Sequence, residues 1–547
     1  MGWSASGTIE ACMQKVRHKK RSGLVRQTWT FVVFGTFSVL LLAGDAWSAE
    51  TLAQRIDTLC LAKAPAQADD AEFLRRVWLD FDGGIPPADE ARAFLTDKTA
   101  DKRTKLIDKL IAAPRFAVRM ADAFHVMLME RRGDNEAWKA WLVECFKANK
   151  PWDAMVREML APDFLDEKQR GAGYFITRRL EKVGQQDTDY PGLTRDVGRM
   201  FMGIDLQCCQ CHRHLSVKDY KQIDFSGLYA VYQNLKLQPA DDKHKTPWIS
   251  EGLIAAKYEF VSVLTDKKAQ TAPRIPFGEE VMIPEAKGDE GWLVKPDRKT
   301  KEVGQPKFSP LREIAARLPA PENPLFSKNI ANRVWWLLTG KGIVEPLDLH
   351  HTENPPAHPE LLELLGKSLT EHHFDLRWLI REIALSKHYQ RADATQRHLL
   401  AEQQLRAFLT ATGETERLEK NTKPDVNIDA AKYSLADFQK AFTAALANPA
   451  KEPELAATPS LRSALFLRNS DHVQWTLKQR AGNLIDRLAK QADPVEDLFL
   501  TILTRLPDAD EKAQFKSWLA AHADDKSKAL GDFAWALLSS TEFFVNH

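Results

Sequence analysis

The residues Gln207-Cys208-Cys209-Gln210-Cys211-His212 concentrate thiols and an imidazole in one short run. Within it, Cys208-x-x-Cys211-His212 is the attachment pattern for c-type haem. Two thiols at that spacing can add to the two vinyl groups of one haem, while the adjacent His212 presents an imidazole to the iron. Two other uses stay open. Cys208, Cys209, Cys211, His212 and His214 offer more thiolate and imidazole than a zinc ion needs. Zinc ligands, however, normally come from two separated pairs that clasp two pieces of chain, and here all of them lie within residues 208–214. The third use is a disulfide or free thiols at Cys208 and Cys211, with no metal at all. His214 is too close to His212 in sequence to reach the opposite face of the same haem. Met200, Met202 and His125 are the nearby candidates for a second iron ligand, and an iron with no second ligand is equally consistent with the motif.

A second polar run, Asp348-Leu-His-His-Thr-Glu-Asn-Pro-Pro-Ala-His-Pro-Glu360, mixes acids and histidines. It could bind a metal or supply acid and base groups. Helix-start chemistry explains it more simply: His358 or Ala357 at the cap, Pro359 at the first helical position, and Glu360 at the positive end. Arg76 and Asp80, at i and i+4 on an apolar helix, are expected to pair. The 15 tryptophans, Trp335-Trp336 among them, could stack on sugars but at helical spacing fit a core better. There is no GxSxG, no HExxH and no phosphate-cradling loop. A glycosidase carboxylate pair cannot be singled out by spacing alone.

These groups must be positioned by helices. Phe73, Leu74, Val77 and Trp78 recur at helical spacing, as do Leu106, Ile107, Leu110 and Ile111. Breaks fall at Gly83-Gly84-Ile85-Pro86-Pro87, Ala113-Pro114 and Lys150-Pro151. Residues 236–307 differ: prolines are frequent and short alternating runs such as Tyr258–Leu264 suggest strands. Helical periodicity resumes near Leu311, continues to about Arg391, and returns from Glu402 to the end, with a polar stretch at 420–429. The expected fold is mainly α and multi-domain. A signal peptide at 1–49 precedes a helical domain at 50–235 that carries the cysteine cluster. A β-rich or irregular insert follows at 236–307, then a helical domain at 308–395 and a C-terminal helical region at 396–547.

The leader is read from order. A basic stretch, Lys15–Arg26, precedes the apolar run Phe31–Ala43, and small residues follow at Ala46, Ser48 and Ala49. That is the layout of a secretory signal peptide, and the run is short of the roughly 20 apolar residues a spanning helix needs. An uncleaved anchor is the other reading. No later segment is apolar enough to span, so the mature chain is expected to be exported to the periplasm, the cell surface or beyond. Of six cysteines, Cys12 lies in the leader; the odd remainder, Cys60, Cys145 and three clustered at 208–211, is a poor disulfide framework. Over the 547 residues, 76 Lys and Arg stand against 75 Asp and Glu. Without residues 1–49 the balance is 70 against 73. So even a charge distribution gives no nucleic-acid footprint, which needs clustered basic residues.

Several longer segments carry a family likeness. Phe73–Asp80, Gly84–Pro87, Ala113–Phe116, Asn149–Asp153, Phe201–His214 and Asp224–Leu228 resemble one domain of a secreted family widespread in planctomycetes. Asn323–Phe326, Asn332–Trp335, Gly340–Val344, Thr352–Glu360, Phe374–Trp378 and Leu537–Phe544 resemble its second. The family pairs two domains of unknown function, DUF1549 and DUF1553. The resemblance implies an exported protein with the CxxCH pattern inside its first domain, often linked with polysaccharide-degrading systems and often preceded by a cytochrome-c-like module. Here Leu215 stands where relatives usually have proline after the motif, and Cys208–His212 is the only haem candidate. The expected function is that of an exported c-type haem protein in electron transfer or haem-dependent oxidation, with a redox partner still to be named. Haem c is the expected cofactor, held by Cys208 and Cys211 and ligated by His212, with zinc or none as the alternative. From another class, the alternative is a carbohydrate-associated enzyme or binding scaffold in which the cysteine cluster is structural.

Overall fold

Apolar spacing closes into helices Asp70–Phe81 and Lys102–Ala112, whose residues Phe73, Val77 and Ile107 are wholly buried. Short polar side chains start many of the helices. Asp69 accepts the backbone N–H of Glu72, and Asn135 that of Trp138 at the head of Glu136–Lys147. Pro114 opens Pro114–Met129 from the first helical position, where a missing N–H costs nothing. The structure is a computed structural model that describes residues 50–61, 66–285, 288–419, 433–451 and 460–546. The expected leader and the polar stretch at 420–429 lie outside the described residues.

The architecture is mainly α. Strands between 235 and 306 form three separate antiparallel pairs rather than one sheet: Leu235–Gln238 with Trp248–Glu251, Tyr258–Val261 with Lys268–Thr271, and Trp292–Val294 with Gln305–Pro306. Helices Pro310–Arg317, Pro324–Thr339, Pro359–Glu371 and Leu376–Leu385 follow. Two apolar cores result. One takes side chains from Leu52 through Leu235 together with Leu311 through Tyr389. The other gathers Leu399 through Phe543 around Leu79 and Ile85. Helix Asp70–Phe81 therefore serves both, with Phe73, Leu74 and Val77 in the first core and Leu79 in the second. Among the described residues, no helix is long and apolar enough to cross a membrane.

Arg76 and Asp80 do not pair as their spacing suggests. Arg76 takes Glu72 at 2.6 Å. Asp80 is held by both ends of the Arg397 guanidinium, at 2.9 and 2.8 Å, and by the Tyr389 hydroxyl at 2.7 Å. The i,i+4 rule sees only one helix, whereas a buried carboxylate is claimed by whichever cation the tertiary fold brings.

His358 occupies the N-cap of Pro359–Glu371, exposed and without a side-chain capping bond. His358→Ser is expected to add that bond and raise stability by about 0.5–1 kcal/mol, read from the urea midpoint, with no effect on any absorption band of the protein. Loss of a spectral feature at unchanged stability would make His358 a ligand.

Candidate functional site

Helix Tyr190–Met202 ends at Gly203, which adopts φ +68°. Glycine is required there twice over: the backbone is left-handed, and a Cβ would come within 2.5 Å of His350 Cδ2. The Gly203 carbonyl accepts the His350 N–H at 2.9 Å, and Ile204 bridges to Leu349. Helix Pro324–Thr339 satisfies carbonyls of the last turn, with Asn329 Nδ2 donating to Met200 O at 2.8 Å and Arg333 Nη2 to Arg199 O at 2.9 Å.

A buried ion network pins the same junction. Arg199 binds Glu130 through both nitrogens at 2.6 and 2.8 Å, and reaches Asp196 and Asp348 at 3.0 Å each. Arg333 also pairs with Asp348, and Arg179 with Asp196 at 2.8 Å. The first acid of the polar run at 348–360 is thus a clamp for the residues before the cysteines. Apart from the i,i+3 pair Asp196–Arg199 within one helix, none of this was readable from spacing, because the other partners lie on different elements.

Beyond Gly203 the chain turns through a single 3₁₀ turn, Cys208–Gln210, with the Cys209 N–H donating to Leu206 O at 2.9 Å. The turn separates the three thiols. Cys209 points into the core, and burial pushes its thiol up to about 12, so it stays protonated. Cys208 and Cys211 are exposed, and all three are free thiols. The Cys211 carbonyl accepts the N–H of Val263 at 3.0 Å, just past strand Tyr258–Val261, which fixes that side of the loop. His212 is partly exposed, and its Nδ1 lies 2.6 Å from the carbonyl of Arg213. A carbonyl can only accept, so Nδ1 carries the proton and the Nε2 lone pair of the neutral ring is left for a metal.

His214 has the opposite arrangement. Its Nδ1 accepts the backbone N–H groups of Ser216 and Val217 at 3.2 and 2.9 Å, and its ring meets the edge of Tyr220. It closes the loop. Met200 and Met202 are buried in the core, and His125 lies between Trp138 Nε1 at 3.0 Å and Asp134 at 3.2 Å. Among the described residues, no group of three or more His, Cys, Asp or Glu is arranged to hold a metal ion. Among exposed polar residues such as Gln210 and Arg213, three exposed apolar side chains stand on the loop and on the segment bonded to it: Leu215 is 73% and Val263 65% exposed, with Leu264 next to it.

His350, beneath the loop, is buried, and burial with the nearby Arg333 charge lowers its pKa from 6.5 to about 4. The folded state resists a proton that the unfolded chain accepts, so this contribution is full above pH 6.5 and is lost as pH falls towards 4. Wild-type stability is expected to drop over that window by up to roughly 3 kcal/mol more than that of His350→Gln. Denaturant midpoints at a series of pH values test it; parallel curves for the two proteins would remove His350 as the cause.

Residues 50–237 match the family model PSCyt2, a protein of unknown function (DUF1549), and residues 312–432 match PSD1, a protein of unknown function (DUF1553). No curated protein and no solved structure is significantly similar to the chain.

Proposed function

For a chain that pairs a DUF1549 domain with a DUF1553 domain, we propose the role of an exported c-type haem protein working in electron transfer or haem-dependent oxidation. One observation carries the reading: Cys208 and Cys211 are exposed free thiols on either side of an inward Cys209, and His212 keeps its Nε2 lone pair. That donor set fits the group. Cys208 and Cys211 would hold the group through thioether bonds, each thiol adding across a vinyl group with its proton passing to the neighbouring carbon, and His212 Nε2 would ligate the iron. The Nδ1–H···O=C bond from His212 to Arg213 fixes the ring tautomer. Leu215, Val263 and Leu264 offer apolar surface against a macrocycle. Haem so held would supply one-electron chemistry, its potential tuned by the axial ligand and by exposure. The leader expected at 1–49 would send the chain to the compartment in which such thiols are loaded, and the family likeness supports a role beside polysaccharide breakdown.

An absorption spectrum decides. Protein matured in a host that assembles other c-type cytochromes is expected to show a Soret band. Colourless protein from that host would move the assignment to the carbohydrate-associated alternative, for which polysaccharide pull-down is the direct assay.

A further inference from the structure

A partly enclosed cavity of about 210 Å³ lies between helices Pro114–Met129 and Pro324–Thr339 and the segment 396–403, bordered by the Arg199–Asp348 ion network and lined by none of the cysteines. Its walls are largely apolar, including Val126, Met127, Trp336, Leu337, Leu347 and Leu399. Arg119, Arg199, Arg333 and Arg397 also line it, together with the acids Glu130 and Asp348. Three of them are spoken for: Arg199 by Glu130, Asp196 and Asp348, Arg333 by Asp348, and Arg397 by Asp80.

Arg119 is different. It is 3% exposed, its Nη1 has no hydrogen-bond partner, and its Nε makes only a long 3.4 Å contact with Leu79 O. Among the described residues no carboxylate forms an ion pair with it. Asp80, Asp122 and Glu402 act on it from a distance. Asp80 is already committed to Arg397, and Glu402 to Arg131 at 2.8 and 3.1 Å; Asp122, three positions on in the same helix, is itself half-buried and forms no ion pair with Arg119 within 4.0 Å. A buried cation without a counter-ion is costly, and native proteins rarely keep one without a use.

We infer that this cavity binds a small carboxylate with a compact apolar body, the carboxylate taking Arg119 and the body lying against Trp336 and Leu399. The volume suits a single ring, since an apolar cavity of roughly 150 Å³ already takes benzene. A guanidinium is the side chain best shaped for a carboxylate, because two parallel N–H···O bonds match its two oxygens. The inference does not depend on haem, and its test reads neither colour nor redox activity.

Calorimetry on the purified full chain, with the change in tryptophan fluorescence that Trp336→Phe removes as a second readout, would compare benzoate, cyclohexanecarboxylate, neutral benzamide and glucuronate. Benzoate and cyclohexanecarboxylate are expected to bind saturably at one site, about ten- to a hundred-fold tighter than benzamide. Glucuronate, equally charged but with a polar body, should bind more weakly than either. Arg119→Met should lower benzoate affinity about ten-fold or more while stability holds or rises, because it removes an unpaired buried charge. Absence of saturable benzoate binding would mean that the cavity holds water only, and would overturn the inference. So would equal affinity for benzoate and benzamide, tighter binding of glucuronate, or an Arg119→Met variant that binds as well as the parent. Should Arg119→Met fail to fold, the comparison of benzoate with benzamide on the unaltered chain decides the matter.

Discussion

Protein matured with a haem-attachment system is expected to emerge heavier by one haem under denaturing conditions, and to keep that mass through acid–acetone extraction. Thioether bonds survive conditions that dissociate metal–ligand bonds, so retention separates covalent attachment from coordination. Cys208→Ala combined with Cys211→Ala should abolish the added mass. Cys209→Ala should keep it, because that side chain faces the core, and should cost only about 1 kcal/mol of packing. His212→Ala should change the iron's absorption spectrum while leaving helical circular dichroism intact, since it removes a ligand and no core contact. A zinc site would behave in the reverse way: colourless protein, metal withdrawn by chelators, and stability lost with each true ligand. Intact mass spectrometry on this variant set distinguishes the two. Added mass that persists without Cys208 and Cys211 would place attachment elsewhere.

The largest stability effect is expected at Arg397. Its guanidinium holds the buried Asp80 carboxylate at 2.9 and 2.8 Å, and Arg397→Met would leave that carboxylate only the neutral donors Tyr389 and Asn546. Stranding one member of a buried pair typically costs about 3–5 kcal/mol. Asp80→Asn added to Arg397→Met should recover part of the loss, because a neutral amide is far cheaper to bury than an uncompensated charge. Urea denaturation at neutral pH measures both. A single variant that loses less than about 1 kcal/mol, or a double variant worse than the single, would show that the pair does not hold this junction.

What the sequence revealed follows from distance along the chain. The helix at Asp70–Phe81 was legible because Phe73, Leu74 and Val77 report their own periodicity, and the start at Pro359 because proline acts on the next turn. The partner of Asp80 was not, since Arg397 lies 317 positions away. The cysteine spacing singled out the loop, but nothing in it could say that Cys209 would turn inward. That depends on the hydrogen bond from Cys209 N–H to Leu206 O and on the core beneath. Which ring nitrogen of His212 donates is likewise set by the Arg213 carbonyl, a matter of backbone direction rather than residue type. The cavity around Arg119 was invisible for the strongest reason. Its walls come from segments near 119–130, 333–348 and 396–403, and a void has no residue of its own.

The bonds at Asp80 also set a clock. Asn546 donates to its carboxylate across 466 residues, while Arg397 and Tyr389 arrive from more than 300 residues downstream. At roughly 5–20 residues per second of synthesis, the last of these partners is made about 20–90 s after Asp80 itself. Through that interval the first helices carry a carboxylate destined for burial and an apolar flank, Leu79, whose neighbours do not yet exist. Helix Asp70–Phe81 therefore acquires the last hydrogen bond to its buried carboxylate only once Asn546 has been made.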